Sequence, residues 1–267
     1  MQDYVHGYDA RESDRLTDQA NTLTDLLHHD TSYPAQARVL EAGCGVGAQT
    51  VILARRSPEA QFISIDISAD SLAQAQTLIE AEGLANVTFQ QKSLFELQPD
   101  EGLFDHIFVC FVLEHLPEPV AALRHLGTLL KPGGSLTAIE GDHGSFYCYP
   151  ESAEAKRAVR CLVEAQARAK GNALIGRQLY PLFRAAGFDD VAVSPRAVYA
   201  DASRPEWVEG FSKRTFIAMV EGVRDQALLL GLIDEATWNQ GIADLYRATE
   251  ADGTFCYSFF KAVAHRL

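Results

Sequence analysis

Three glycines stand at alternate positions, Gly43, Gly45 and Gly47, behind the apolar run VLEA and ahead of a helical pattern. Glycines so placed let a backbone approach a nucleotide closely, with a helix N-terminus behind it. Asp66 closes the run QFISID, 21 residues beyond Gly45, at the spacing of an acid that holds ribose hydroxyls. Further along, EGDHGSFYCYP gathers Glu140, Asp142, His143, Tyr147 and Tyr149 within ten residues. Of these, His143 is the candidate general base for an acceptor that must lose a proton, since histidine is the side-chain type whose ordinary pKa lies near neutrality. Asp142 and His143 are also metal-ligand types, but no second carboxylate cluster completes a site in the sequence, so no metal is expected.

Such residues need a scaffold that brings them to one edge. Leu16, Ala20, Leu23 and Leu27 recur at helical spacing and predict an amphipathic helix over 13–29. An alternation comes next: strand 37–42, helix 47–56, strand 61–66, helix 69–82, strands 86–91 and 104–111, helix 118–130 and strand 135–140. The sequence KPGG at 131–134 reads as a sharp turn into that last strand. Strands separated by helices imply a parallel sheet with helices on both faces, whose ligands bind outside the C-terminal strand ends. Beyond 150 the pattern turns helical, with a strand predicted at 190–200, two or three helices over 204–250 and a final strand at 254–266. The organisation expected is a lid helix (1–34), a core (35–150), a helical cap (151–253) that lends strand 190–200 to the core, and a final core strand (254–267).

The 267 residues are 47% hydrophobic, enough for a full core, and carry a net charge of −13. That charge repels a polyanion, so nucleic acid is not an expected partner. The polar N-terminus lacks the apolar stretch of a signal peptide, and runs such as ALLLGLI are too short to span a bilayer. Five scattered cysteines without a CxxC pair read as reduced thiols. The expectation is a cytoplasmic protein with no membrane partner; a homodimer is compatible with it.

Two readings of the glycine turn compete. Gly43, Gly45 and Ala48 satisfy the permissive dinucleotide pattern G-x-G-x-x-G/A, with Asp66 as its acid. The other reading rests on Glu41, two residues before Gly43. A carboxylate there would repel a pyrophosphate but suits a cationic ammonium and sulfonium. With Glu41 the chain resembles the class I S-adenosylmethionine-dependent methyltransferases, in the pattern E/D-x-G-x-G-x-G. Three more segments resemble that family in order: Asp66 at the end of the second strand, FDHIFVCFVLEHLPEP as the fourth strand and its C-terminal turn, and LLKPGGSL as the turn into the fifth.

The resemblance covers residues 35–145 and the last two strands. It implies an α/β fold, a Rossmann-like seven-stranded sheet with an antiparallel last strand and a helical cap. It implies S-adenosyl-L-methionine as cofactor, held by Glu41, Gly43, Cys44, Gly45, Gly47, Asp66, Ile67, Leu94, Cys110 and His115. The family often has an Asp where this chain has Ser93, so the adenine amino group would meet a serine hydroxyl or the Leu94 backbone. An N-terminal lid would bring Tyr4, Tyr8 and Arg15 to the substrate, together with Asp142 and Tyr147. A looser likeness to microbial and fungal secondary-metabolite methyltransferases suggests a small natural product as acceptor. Cyclisation or decarboxylation with the same cofactor, and cofactor binding without catalysis, are the alternatives.

Overall fold

The computed structural model describes residues 19–20 and 22–266. Tyr4, Tyr8, Arg15 and most of the expected lid lie outside them. Seven strands make one sheet: β1 (Arg38–Ala42), β2 (Gln61–Asp66), β3 (Val87–Gln91), β4 (Phe104–Cys110), β5 (Leu130–Tyr149), β6 (Asp190–Ala200) and β7 (Thr254–His265). Their order is β3-β2-β1-β4-β5-β7-β6, with the first five strands parallel and the last in sequence antiparallel, as the resemblance implies.

Described helices begin with α1 at 22–28, inside the predicted 13–29 span. Then come α2 (Ala48–Arg56), α3 (Ala69–Ala81), α4 (Pro119–Thr128), α5 (Ala153–Arg168) and α6 (Leu179–Ala186). After β6 come α7 (Pro205–Trp207), a π-helix (Val208–Ile217), α8 (Ala218–Gly222), α9 (Arg224–Leu229) and α10 (Glu235–Arg247). None of the described helices is long and apolar enough to cross a membrane.

The chain divides into two compact units. One comprises Leu27–Glu140, Ile175–Pro195 and Phe260–Leu267. Its core is the inner face of the parallel strands, with Leu40, Ile65, Ile107, Val109 and Leu136 buried against Leu123 and Leu126 of α4 and Leu179 and Phe183 of α6. The second unit comprises Gly141–Leu174 and Arg196–Phe259, with the described residues up to Leu26. In it α10 packs on α5, where a Cβ on Gly241 would crowd the Glu154 backbone. One of the breaks between the two units falls after Glu140.

Two departures from the predicted elements have physical causes. KPGG is not a turn ahead of the strand at 135–140; it bulges within β5, which already begins at Leu130. The pairing passes from Phe104↔Leu130 to His106↔Ser135, and Gly133 takes φ +76° to absorb the extra residues. The π-helix was not predicted. Its period places residues five apart on one face, so Phe211 and Phe216 both meet Phe255 and Tyr257 of β7. Thr215 Oγ1 donates to the Gly210 carbonyl at 2.8 Å across the same widened turn.

Candidate functional site

The glycine turn is tied to the end of β2 rather than left loose. The Gly43 and Cys44 amides both donate to the Ile65 carbonyl, at 2.8 and 3.0 Å. The Gly45 amide donates to Asp66 Oδ2 at 2.9 Å, while Asp66 Oδ1 accepts from the Ser68 amide at 2.9 Å. Asp66 thus shapes the turn with both of its carboxylate oxygens. Gly43, Gly45 and Gly47 have φ of +82°, +52° and +84°, the left-handed region that glycine alone enters freely. Their surroundings differ. A Cβ on Gly43 would overlap Val112 Cγ2, and one on Gly47 would come within 2.9 Å of Ala75 Cβ. A Cβ on Gly45 would meet none of the described residues within 4 Å.

Glu41 lies buried beneath this turn. Its Oε2 accepts from Thr50 Oγ1 of α2 and Ser64 Oγ of β2, both at 2.7 Å, so one carboxylate brackets the helix to the sheet. Burial raises its pKa to about 7, against the two hydroxyl bonds that lower it. Burial likewise pushes the Cys44 thiol up. At the mouth of the turn Ile67 is 58% exposed, an apolar surface next to a carboxylate. Ser93 caps the short helix Leu94–Glu96: its Oγ accepts from the Phe95 amide at 3.3 Å, and its own amide donates to Glu96 Oε2 at 2.8 Å. Leu94 is buried behind it.

The third wall is the turn after β4. Cys110, the last residue of β4, is buried, and burial drives its thiol pKa well up. Phe111 then takes φ +56°, a strained value for a residue with a side chain. What holds the turn is Glu140, at the end of β5's stretch within this unit. Its Oε1 accepts from the Val112 and Leu113 amides at 3.0 and 2.8 Å, and Val112 in turn presses against Gly43. Glu140 is fully buried, and burial, then the nearby Glu114, drives its pKa well above the carboxylate range. His115 ends the helical turn Leu113–His115, with Nε2 at 3.6 Å from Glu114 Oε1.

The turn thus joins a glycine at which a Cβ would meet none of the described residues to the Asp66 carboxylate, with the exposed Ile67 next in the chain. Residues 39–134 match the model of a methyltransferase domain. The chain carries a methyltransferase domain over those residues. Over 214 residues the chain is 31% identical to an uncharacterized protein of Synechococcus sp., covering 71% of this chain and 50% of that one. To a ubiquinone biosynthesis O-methyltransferase of Xanthomonas axonopodis it is 38% identical over 104 residues, 39% of this chain and 42% of the relative. The chain thus spans about half the length of these two relatives. Among solved structures it shares its fold with the [4+2]-cyclase SpnF, at 22% identity and TM-score 0.54, over 95% of this chain and 81% of that one. The match to a methyltransferase domain favours the methyltransferase reading of the glycine turn over the dinucleotide reading of Gly43, Gly45 and Ala48.

The structure brings Glu41, the three glycines, Asp66 and the 110–115 turn together in one unit. Cys44, Ile67, Ser93 and Leu94 lie in that unit too, whereas Asp142, His143 and Tyr147 belong to the second unit. Asp142 is buried there, its Oδ1 accepting from the Gly144 amide at 3.1 Å. Tyr147 is 62% exposed. His143 is buried, with Nδ1 at 2.7 Å from the Tyr257 hydroxyl. Sequence reading singled out neither Thr50 and Ser64, which brace Glu41, nor the bracing role of Glu140. Nor did it find Tyr257. Their partners lie 9 to 114 residues away, and no spacing rule reaches them.

Proposed function

We propose that this chain transfers the methyl group of S-adenosylmethionine to a small organic acceptor. The observation that supports it most directly is that a Cβ on Gly45 would meet none of the described residues within 4 Å, while the Gly45 amide is held by Asp66 Oδ2 at 2.9 Å. In this reading Asp66, with lone pairs beyond the two amides it accepts, takes the ribose hydroxyls, and Ile67 and Leu94 border the adenine. Gly43, Cys44, Gly45 and Gly47 line the backbone cradle, and the turn from Cys110 to His115 closes the methionine end. Glu41, near neutral in its burial, would ionise more fully beside a bound cation.

S-adenosylmethionine when bound supplies an activated methyl carbon, to which a nucleophile's lone pair bonds as the carbon–sulfur electron pair leaves with sulfur. The protein's part is to position and desolvate that nucleophile. His143 is the residue proposed to meet the acceptor's reacting atom, with Asp142 and Tyr147 as further substrate-side residues. The O-methyltransferase name of one relative supports an oxygen acceptor. Mass spectrometry of the cofactor after incubation with candidate acceptors tests the reading. S-adenosylhomocysteine together with a product heavier by one methylene supports methyl transfer. Methylthioadenosine, or a rearranged substrate with the cofactor unchanged, would replace it with non-methylating chemistry.

A further inference from the structure

His143 and Tyr257 lie 114 residues apart in sequence, yet Nδ1 and the phenolic oxygen are 2.7 Å apart. Both side chains are buried in the same unit. The tyrosine ring is wedged among Phe211, Phe216 and Phe259, with centroids at 5.4, 5.4 and 4.8 Å. Its hydroxyl lies over Gly141, where a Cβ would overlap it. The histidine is fixed too. Its amide donates to the Ala173 carbonyl at 2.9 Å, and its ring stands edge-on to Phe216, 6.1 Å between centroids and 89° between planes. Neither partner can turn away without disturbing packed aromatic rings.

A phenol is the stronger donor of this pair and a neutral imidazole nitrogen the stronger acceptor, so the bond runs from O–H to Nδ1. A ring that accepts at Nδ1 carries its own hydrogen on Nε2. We propose that Tyr257 is a positioning residue that fixes His143 as the Nε2–H tautomer. This rests on methyl transfer as the function, with His143 meeting the acceptor, and it changes the histidine's part there. A ring already protonated on Nε2 donates a hydrogen bond from that atom and takes no proton with it. The acceptor group that suits such a donor is ionised before it arrives: a carboxylate or an acidic enol, which needs orientation and desolvation but no base.

The test is the ring tautomer itself, read from long-range proton–nitrogen correlation spectra of the full chain labelled at histidine. The His143 signals are assigned by their loss in His143→Gln. Expected is an unprotonated Nδ1 and a protonated Nε2 in the wild type, and convergence of the two nitrogen shifts in Tyr257→Phe as the tautomers exchange. A wild-type ring with its hydrogen on Nδ1, or a Tyr257→Phe spectrum unchanged from wild type, overturns the proposal. Should Tyr257→Phe fail to fold by circular dichroism, the wild-type spectrum alone decides.

A second arm uses whichever acceptor yields S-adenosylhomocysteine. His143→Gln keeps an N–H near the position of Nε2 and should hold kcat within about tenfold of wild type, while His143→Ala falls about 100-fold or more. Equal collapse of both variants would return His143 to the role of base and sink the donor role. Failure of every acceptor alongside the expected tautomer would count against the methyl-transfer reading and leave the tautomer standing.

Discussion

Glu41 carries its carboxyl beneath the glycine turn with two hydroxyls on one oxygen, and burial lifts its pKa from the ordinary 4.5 to about 7. The folded chain therefore keeps a proton that the unfolded chain releases above pH 4.5. Stability from this group is whole below that pH and is lost as pH rises towards 7. Glu41→Gln cannot ionise, so its melting temperature should fall less than the wild type's between about pH 5 and pH 8. Parallel melting curves for the two proteins across that range would contradict the raised pKa. Asp66 makes the complementary case. It accepts from two amides and, in the proposed function, from the ribose as well. Asp66→Ala should weaken S-adenosylmethionine binding by about 1–3 kcal/mol, measured by calorimetry. Undiminished affinity would move the ribose elsewhere.

Among the elements, the glycine turn and the turn after β4 make separable predictions. Gly43 is a packing glycine, since a Cβ there meets Val112, whereas one on Gly45 would meet none of the described residues within 4 Å. Gly43→Ala should lower the melting temperature, through both overlap and a strained φ of +82°. Gly45→Val should do its main damage to cofactor affinity, because its side chain occupies the space the ligand needs. The two variants are told apart by measuring melting and binding on each; identical profiles would deny that the glycines differ in role.

Glu140 holds two amides of the β4 turn with one oxygen, and its buried carboxyl is driven towards the protonated form. Glutamine is an isostere of that form and should cost less than about 1 kcal/mol, while alanine strands two buried amides at about 1–3 kcal/mol each. Chemical denaturation of Glu140→Gln and Glu140→Ala checks the ranking. A glutamine variant as weak as the alanine one would show that the charge, not the shape, holds the turn.

For the whole molecule, the ligand is the lever on stability. A cofactor that binds only the folded chain adds about 2.7 kcal/mol at a hundred times its dissociation constant. S-adenosylmethionine and S-adenosylhomocysteine should therefore raise the melting temperature, and NAD should leave it unchanged. A shift with NAD and none with S-adenosylmethionine would reinstate the dinucleotide reading that the methyltransferase domain displaces.

The sequence by itself determined what is local. Alternating glycines, an acid ending a short apolar run and helix-length gaps between strands are products of backbone geometry, and they located β1, β2 and the turn between them almost residue for residue. Strand β6 at 190–200 matched as well, because β-branched residues and bounding turn signals are read within ten residues or so. The tertiary structure decided what depends on partners distant in the chain. Glu41 looked like a ligand for a cation, and the fold shows it also bracing Thr50 and Ser64. Ser93 looked like an adenine contact, and its oxygen serves as a helix cap. The π-helix exists because two phenylalanines five residues apart both find the aromatic face of β7, a fact of packing that helical periodicity does not encode. His143 could be picked out by type and place, but its proton depends on Tyr257, brought beside it by the closing strand of the sheet. Spacing along a chain reports the backbone's own repeat; which side chains share a proton is settled when the sheet closes.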